Sequence, residues 1–180
     1  MKALGTGFPT TIREAEPRDA AEVHALLREC FGHEYEAQLV ARLRAERAML
    51  VELVAARSAP PSAPLLGHVA FSTLAIEANG GTLRAAALAP LAVRPEARRQ
   101  GLGAGLVQAG IDRCRRLGLV AVVVLGDPAY YARFGFSAAL AQGLEAPFHG
   151  DAFQALELAP RALAGISGRL RYASAFGLGG

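Results

Sequence analysis

The sequence predicts an α/β protein built around a mixed β-sheet. Strand-like and helix-like segments alternate along the chain, which favours helices packed against a sheet. An apolar, β-branched run at 119–125 follows an amphipathic helix, as expected of a buried strand that is parallel to the strand before that helix. With 180 residues, of which 52% are hydrophobic and 19% charged, the chain is expected to form one domain over residues 1–180.

The N-terminal third predicts a strand, two helices and a second strand. Residues 11–13 form the first strand, and Pro17 and Asp19 open the first helix, where the missing N–H of proline costs little. The buried stripe of this helix is predicted to be Val23, Leu26, Leu27 and Cys30. A second helix near 34–46 is predicted to bury Tyr35, Leu39 and Leu43. A strand at 49–56 and a breaker-rich loop at 58–64 follow.

The middle of the chain predicts a hairpin and a long helix. Strands 65–78 and 83–93 are joined by Asn79-Gly80-Gly81, a tight-turn signal. Pro90 cannot donate to a sheet, so we expect a bulge or a splay there. The helix at 101–117 is predicted to bury Leu102, Leu106, Ala109, Gly110, Cys114 and Leu117. The strand at 119–125, a short helix from Asp127-Pro128 to Phe134-Gly135, and strands at 153–158 and 170–174 complete the chain.

A glycine-rich, arginine-rich turn lies between the strand at 83–93 and the long helix. It reads Arg98-Arg99-Gln100-Gly101-Leu102-Gly103, and residues 84–116 hold seven arginines against two acids in a chain of net charge +3. Unpaired N–H groups at a helix N-terminus attract phosphates. A local basic patch of this size indicates a small polyanion, and without interleaved aromatic residues it does not favour nucleic acid. The alternative is a closely packed helix start with no ligand.

Several other classes are not supported by the sequence. The turn has no lysine for a Walker A motif, and Leu106 stands where a dinucleotide fingerprint needs glycine. Cys30 and Cys114 give no disulfide framework, and the four histidines have no metal-ligand spacing, so no metal is expected. No apolar run reaches the length of a membrane span or a signal peptide, so we expect a cytoplasmic protein without membrane contact.

The pattern Arg98-x-x-Gly101-x-Gly103, after a proline-interrupted strand, resembles the GNAT superfamily of acetyl-CoA-dependent N-acetyltransferases. The segments 12–19, 67–72 and 126–136 resemble the family's opening strand and helix, its third strand and its fourth helix. The phrase Leu-Gly-Asp-Pro-x-Tyr-Tyr-x-Arg-Phe-Gly-Phe is similar to a bacterial subfamily of predicted (YhbS-like) N-acetyltransferases. The resemblance covers roughly residues 12–176.

This resemblance implies the GNAT fold, which is a mixed, mostly antiparallel sheet with a central parallel pair, flanked by helices. It implies acetyl-CoA as acyl donor and direct transfer to a primary amine of an unidentified small molecule or protein. The diphosphate of coenzyme A would bind the turn, through Arg98, Arg99, Gln100, Gly101, Leu102, Gly103 and Ala104. The pantetheine arm would pair with the strand edge at Leu91, Ala92 and Val93, whose N–H groups would stabilise the oxyanion. The alternative for these three residues is an ordinary core strand.

Tyr131 is the candidate catalytic residue that the resemblance implies. A phenol with a pKa of about 10 is a feasible proton donor to a departing thiolate whose conjugate thiol has a pKa of about 8.5. The alternatives are a packing role for Tyr131 and a competing role for the adjacent Tyr130. Asp127 is interpreted as the cap of the short helix.

The general base and the acceptor are left open by the sequence. A protonated amine needs a proton acceptor, and the candidates are Glu34, Glu36, His68, Glu77, Glu145 and His149. In this fold the first two helices and the loop 142–151 set the acceptor, and Glu145, Phe148, His149 and Asp151 allow a cationic one. A non-catalytic acyl-CoA-binding or sensor module on the same fold is the alternative function, and a homodimer is also left open.

Overall fold

The computed structural model describes residues 9–58, 62–78 and 80–178, and these form eight strands flanked by helices. The strands are β1 (Thr10–Glu14), β2 (Met49–Arg57), β3 (Gly67–Ala78), β4 (Gly81–Val93), β5 (Ala121–Leu125), β6 (Leu144–Glu145), β7 (Phe153–Glu157) and β8 (Gly168–Tyr172). The α-helices are α1 (Ala20–Phe31), α2 (Tyr35–Ala45), α3 (Leu102–Arg116), α4 (Pro128–Tyr131) and α5 (Ala138–Ala141). Short 3-10 turns lie at Pro17–Asp19, Pro95–Ala97, Ala132–Phe134 and Ser174–Phe176.

The sheet is mixed and mostly antiparallel, as predicted. Its order is β1-β2-β3-β4-β5-β7, and within this order only β4 and β5 run parallel. β8 pairs with the end of β3 that β2 leaves free, over Leu74–Ala78, and β6 lies parallel to β8. β3 and β4 pair from Ala78 opposite Gly81, while Asn79 of the predicted turn lies outside the described residues.

The predicted irregularity at Pro90 is confirmed. Val69 pairs with Leu91 and Phe71 pairs with Leu88, so β4 holds one residue more than β3 between these pairs. An extra residue of this kind is a β-bulge, which bends the strand. The parallel pairing of β4 with β5 ends at Leu88 opposite Val124. Beyond Leu88, β4 therefore separates from β5, and a gap opens between the two strands.

Helix α3 packs closely on one face of the sheet. A Cβ atom on Gly110 would stand 2.0 Å from the ring of Phe71, so only glycine permits this approach. The helix face centres on Gly110 and Cys114 and includes Val107 and Ile111. The predicted burial of Leu117 was wrong, because α3 ends at Arg116 and Leu117, its cap, is 42% exposed.

Helices α1 and α2 cover part of the opposite face. Val23, Leu26, Leu27, Leu39 and Leu43 are buried as predicted. Cys30 is only half-buried, and the predicted burial of Tyr35 was wrong, because this first residue of α2 faces a cavity and is 48% exposed. Among the described residues, no helix has the length and hydrophobicity needed to cross a membrane.

Candidate active site

The glycine-rich turn leaves the N-terminal amides of α3 without backbone partners. Arg99 and Gly101 both have positive φ, 58° and 79°, which turns the chain sharply into the helix. Within the described residues, the first amide of α3 that donates to a backbone carbonyl is that of Gly105, to Gly101 at 2.9 Å. No side chain caps the helix at Gly101. The preceding amides therefore form a positive end suited to an anion.

A cavity of about 230 Å³, here called the turn cavity, opens at this helix start. Its lining residues are Val93, Ala97, Arg98, Arg99, Gly101, Leu102, Gly103, Ala104, Tyr130 and Arg133. Gln100 does not line it; its side chain is exposed and donates to the Glu96 carbonyl oxygen at 3.1 Å. Three arginines around free amides give the turn cavity the charge that a diphosphate needs.

Tyr130 and Arg133 also line the turn cavity, a role that the sequence motifs did not predict. The Arg133 guanidinium lies 4.6 Å from the centre of the Tyr130 ring, and its Nε donates to the Tyr130 carbonyl at 2.9 Å. Their spacing in the sequence could have identified the pair, because residues three apart on a helical turn share one face. The pair extends the basic surface from the α3 start to α4.

The gap-facing edge of β4 carries free amides. The Arg94 amide donates to the Leu66 carbonyl on the β3 side, at 2.9 Å. Because N–H groups alternate in direction along a strand, those of Leu91 and Val93 point away from β3, toward the gap. The Ala92 amide points the other way, toward β3, where Ala92 pairs with His68. The Ala92 side chain is buried under α1. Of the three predicted strand residues, Leu91 and Val93 thus present amides to the gap and Ala92 does not.

A second cavity of about 400 Å³, here called the central cavity, lies farther along the same edge. The strands contribute residues 87–91 of β4 and 123–125 of β5, with Tyr131 beside them. The remaining lining residues come from α1, α2 and the C-terminal quarter of the chain: Phe31, Tyr35, Glu36, Leu39, Phe148, Tyr172, Phe176 and Leu178. The two cavities are therefore joined by one strand edge, with Val93 at one end and Leu91 at the other.

Tyr131 lines the central cavity together with the ends of β4 and β5. It is 8% exposed, and burial, with a smaller contribution from Tyr130, raises its pKa to about 12. A Cβ atom on Gly126 would stand 2.5 Å from the ring, so this glycine makes room for Tyr131. The Asp127 carboxylate accepts from the Ala129 amide at 2.9 Å and caps α4 as interpreted from the sequence.

Glu36 differs from the other proton-acceptor candidates because it alone among them lines the central cavity. Its side chain is 17% exposed. Its Oε2 has no hydrogen-bond partner among the described residues; His33 Nδ1 lies 3.0 Å away but is not aligned for a hydrogen bond. No hydrogen bond within the described residues therefore holds this carboxylate, and its close contact is with the His33 imidazole.

The other candidates are engaged elsewhere or lie outside the cavity. Glu34 pairs with His24 and Arg28 on the surface. Glu77 pairs with Arg171 and Glu145 with Arg169, at 3.1 and 3.2 Å. His149 and Asp151 are exposed, so Phe148 alone of the four predicted acceptor-loop residues lines the central cavity.

The remaining candidate, His68, has a structural role in the protein interior. It is fully buried, and its Nε2 lies 2.8 Å from Glu52 Oε1. Arg44 donates through Nε to the other oxygen of Glu52 at 2.9 Å. Burial lowers the pKa of His68 more than the partly neutralised Glu52 raises it. This neutral imidazole ties β2 and β3 to α2 and does not reach the cavity.

Comparisons with known proteins identify the family of the chain. Residues 11–139 match the family model described as an acetyltransferase (GNAT) domain. The chain is 40% identical over 163 residues to the uncharacterized N-acetyltransferase YhbS of Escherichia coli K12, covering 89% of this chain and 95% of that protein. The crystal structure of Escherichia coli YhbS in complex with CoA superposes with a TM-score of 0.84 at 38% identity, covering 96% and 94% of the two chains.

A second solved relative is a GNAT family acetyltransferase from Brucella melitensis in complex with acetyl-CoA. Its TM-score is 0.75 at 31% identity, with 93% of this chain and 98% of that chain covered. Among the described residues of the present chain, no three His, Cys, Asp or Glu side chains are grouped as a metal site.

Proposed function

Since the chain belongs to the GNAT acetyltransferase family, we propose that it transfers the acetyl group of acetyl-CoA directly to a primary amine. The observation that carries the proposal is the single β4 edge that joins the turn cavity to the central cavity. A phosphate-bearing arm laid along this edge has an anion site at one end and an apolar chamber at the other. The relatives from Escherichia coli and Brucella melitensis, solved with CoA and acetyl-CoA, support this choice of donor.

The diphosphate fits the turn cavity. The free amides before Gly105 donate to its oxygens, and Arg98, Arg99 and Arg133 balance its charge. Arg98 is already oriented, because its Nε donates to the Val93 carbonyl at 2.9 Å. This leaves the rest of its guanidinium for the ligand.

The pantetheine arm fits the gap between β4 and β5. The amides of Leu91 and Val93 act as hydrogen-bond donors to it in the manner of an added strand. The Leu91 amide, at the central cavity, stabilises negative charge on the thioester oxygen during attack. Much of the rate comes from holding amine and thioester together in one ternary complex.

Two side chains move or hold protons in the central cavity. Acetyl-CoA supplies a carbonyl carbon open to attack and a thiolate leaving group. Glu36 takes one proton from the bound ammonium, so the nitrogen lone pair can form the C–N bond as the C–S bond breaks. Tyr131 donates a hydrogen bond to the departing sulfur. Since its pKa is about 12, complete transfer to the thiolate is uphill, and the thiolate takes its final proton from the amine nitrogen or from solvent.

The decisive experiment compares Glu36→Gln with Glu34→Gln in an assay of thiol release from acetyl-CoA with an amine panel. Glu36→Gln should lower kcat by about 10²-fold or more, the usual effect of losing a general base. Glu34→Gln is the matched control, because its surface carboxylate lies two residues away and does not line the cavity.

Calorimetry with acetyl-CoA separates the outcomes. Both variants should bind acetyl-CoA like the parent protein, because neither residue lines the turn cavity. Equal activity of the two variants would remove Glu36 from the mechanism. Tight binding of acetyl-CoA with no thiol release by the parent protein, across every amine, would favour the non-catalytic acyl-CoA sensor.

A further inference from the structure

The central cavity is unusually rich in aromatic residues for this chain. The sequence has eight phenylalanines and four tyrosines, and half of these twelve line this one cavity. Setting aside Tyr131, the wall opposite the strand edge has five of them, here called the aromatic wall. Its members are Phe31, Tyr35, Phe148, Tyr172 and Phe176.

The aromatic wall is held in place by its own contacts. Tyr172 meets Phe148 and Phe176 edge-on, with ring centres 5.9 and 5.3 Å apart. Phe148 also packs beside Phe153, which is buried in β7, at 6.2 Å. The Tyr35 hydroxyl donates to the Phe176 carbonyl at 3.4 Å. Four members of the wall are therefore linked to one another, while Phe31, at the end of α1, packs against the core beneath that helix.

Helix α2 fixes the C-terminal part of this wall. The Glu46 carboxylate accepts from the Ser174 hydroxyl at 2.8 Å and from the Ala175 amide at 3.0 Å. Arg42 Nε donates to the Ala175 carbonyl at 3.1 Å. Internal ring contacts and these bonds to α2 thus preform the wall, and a preformed surface loses less entropy when a ligand binds.

Glu36 is the one charged residue among those that line the central cavity in the described part of the chain. Outside the cavity lining, Glu77 and Glu145 are paired with arginines, and Glu46 holds the C-terminal turn. One ammonium group can therefore be neutralised in the cavity, and a second has no carboxylate to meet. Burying an unpaired second charge would be costly.

We infer that the acceptor is a monoamine carried on an apolar or aromatic body of about one ring, with its ammonium on Glu36 and its body against the aromatic wall. The inference rests on the proposed transfer and names its substrate class. Aromatic faces attract both apolar groups and a cation, so the wall suits both ends of such a molecule. A cavity of about 400 Å³ is near the lower limit for ligand sites, which favours a small acceptor beside the acetyl group.

The test measures kcat/KM for 2-phenylethylamine, ethylamine, spermidine and a lysine-containing peptide, by thiol release from acetyl-CoA. The 2-phenylethylamine value should exceed each of the others by about tenfold or more, the scale on which apolar pockets discriminate. A preference for spermidine or the peptide would overturn the inference and leave the proposed transfer standing. Thiol release with none of the four, despite acetyl-CoA binding, would overturn the inference; only its absence across the whole amine panel would also overturn the proposed transfer.

A variant pair identifies the aromatic wall as the cause of the preference. Phe148→Ala should raise KM for 2-phenylethylamine by about tenfold and leave KM for ethylamine unchanged. Phe148→Leu, which keeps apolar volume beside Phe153, covers the case in which the alanine variant does not fold, and should give a smaller change in the same direction. Equal KM increases for the two amines would show general disruption and overturn the role of the wall.

Discussion

The hydroxyl oxygen of Tyr130 lies 2.8 Å from the point at which a Cβ atom on Gly103 would stand. The Tyr130 ring is itself held, with Tyr131 and Phe134 edge-on at 5.0 and 5.7 Å and Arg133 over its face. Gly103 therefore allows α3 to pack closely against α4, and it also leaves space for a ligand.

We predict that Gly103→Ala weakens coenzyme A binding by about tenfold, because the added methyl group forces Tyr130 into the turn cavity. Removing the hydroxyl should relieve the conflict, since the next ring atom, Cζ, lies 3.9 Å from the added Cβ. The double variant Gly103→Ala/Tyr130→Phe should thus bind within a few-fold of Tyr130→Phe alone. Calorimetric titration of the four proteins measures the coupling. Additive losses would show that the methyl group itself blocks the ligand.

Gly101 is required for its backbone conformation and not for close packing. A Cβ atom there would meet nothing within 4 Å, but the residue has φ 79°. We expect Gly101→Ala to lower the free energy of unfolding by about 1–2 kcal/mol, the cost of left-handed backbone for an L-residue, and Gly101→Asn to cost less. Urea denaturation measures both.

The matched control is Gly118→Ala at the opposite end of α3. Gly118 also has positive φ, 70°, and open space around it. Its replacement should cost a similar amount of stability, and only the Gly101 variant should also weaken coenzyme A binding, because Gly118 lies far from the turn in sequence and outside its cavity. Unchanged affinity in a folded Gly101→Ala protein would count against the diphosphate assignment.

Local sequence signals predicted the region of β4, the glycine-rich turn and β5 well. The bulge at Pro90 follows from one missing N–H, and the helix start at Gly101 follows from two closely spaced glycines. Both are short-range effects of backbone chemistry, so neighbouring residues are enough to identify them. The parallel pair β4–β5 follows from the helix between two apolar runs.

The lining of the central cavity was not predictable in the same way. Tyr172 and Phe176 reach the central cavity because β8 pairs with the far end of β3, about a hundred residues earlier in the chain. Tyr35 looked like a core residue because helical periodicity cannot distinguish a core from a cavity. Glu36 and Glu34 were equivalent until the surface partners of Glu34 were known.

Tyr131→Phe should lower kcat by about 10- to 100-fold and leave acetyl-CoA affinity nearly unchanged, because a hydrogen bond to a thiolate is lost only as the charge develops. Burial raises the pKa of Tyr131 to about 12, so the phenol keeps its proton up to about pH 11. The ratio of parent to variant kcat should therefore stay constant from pH 7 to 10. A ratio that falls toward one with a midpoint near pH 10 would mean an unshifted phenol.

The buried His68–Glu52 pair predicts loss of stability in mild acid. Burial lowers the pKa of His68, so below about pH 6.5 the unfolded chain binds a proton that the folded chain does not. Burial alone would raise the pKa of Glu52, but hydrogen bonds from His68 and Arg44 outweigh it and lower that pKa, which adds a loss at lower pH.

The stability that His68 provides is thus fully present above about pH 6.5 and decreases as the pH falls through that value. The urea midpoint of the parent protein should decrease from pH 7.5 to 5.5, and His68→Gln should reduce this slope, although burying glutamine lowers the midpoint at every pH. His149→Gln, which replaces an exposed histidine, should keep the parent slope. Because linkage depends only on the difference in protons bound by the two states, an unchanged slope in His68→Gln would mean that His68 has the same pKa folded and unfolded.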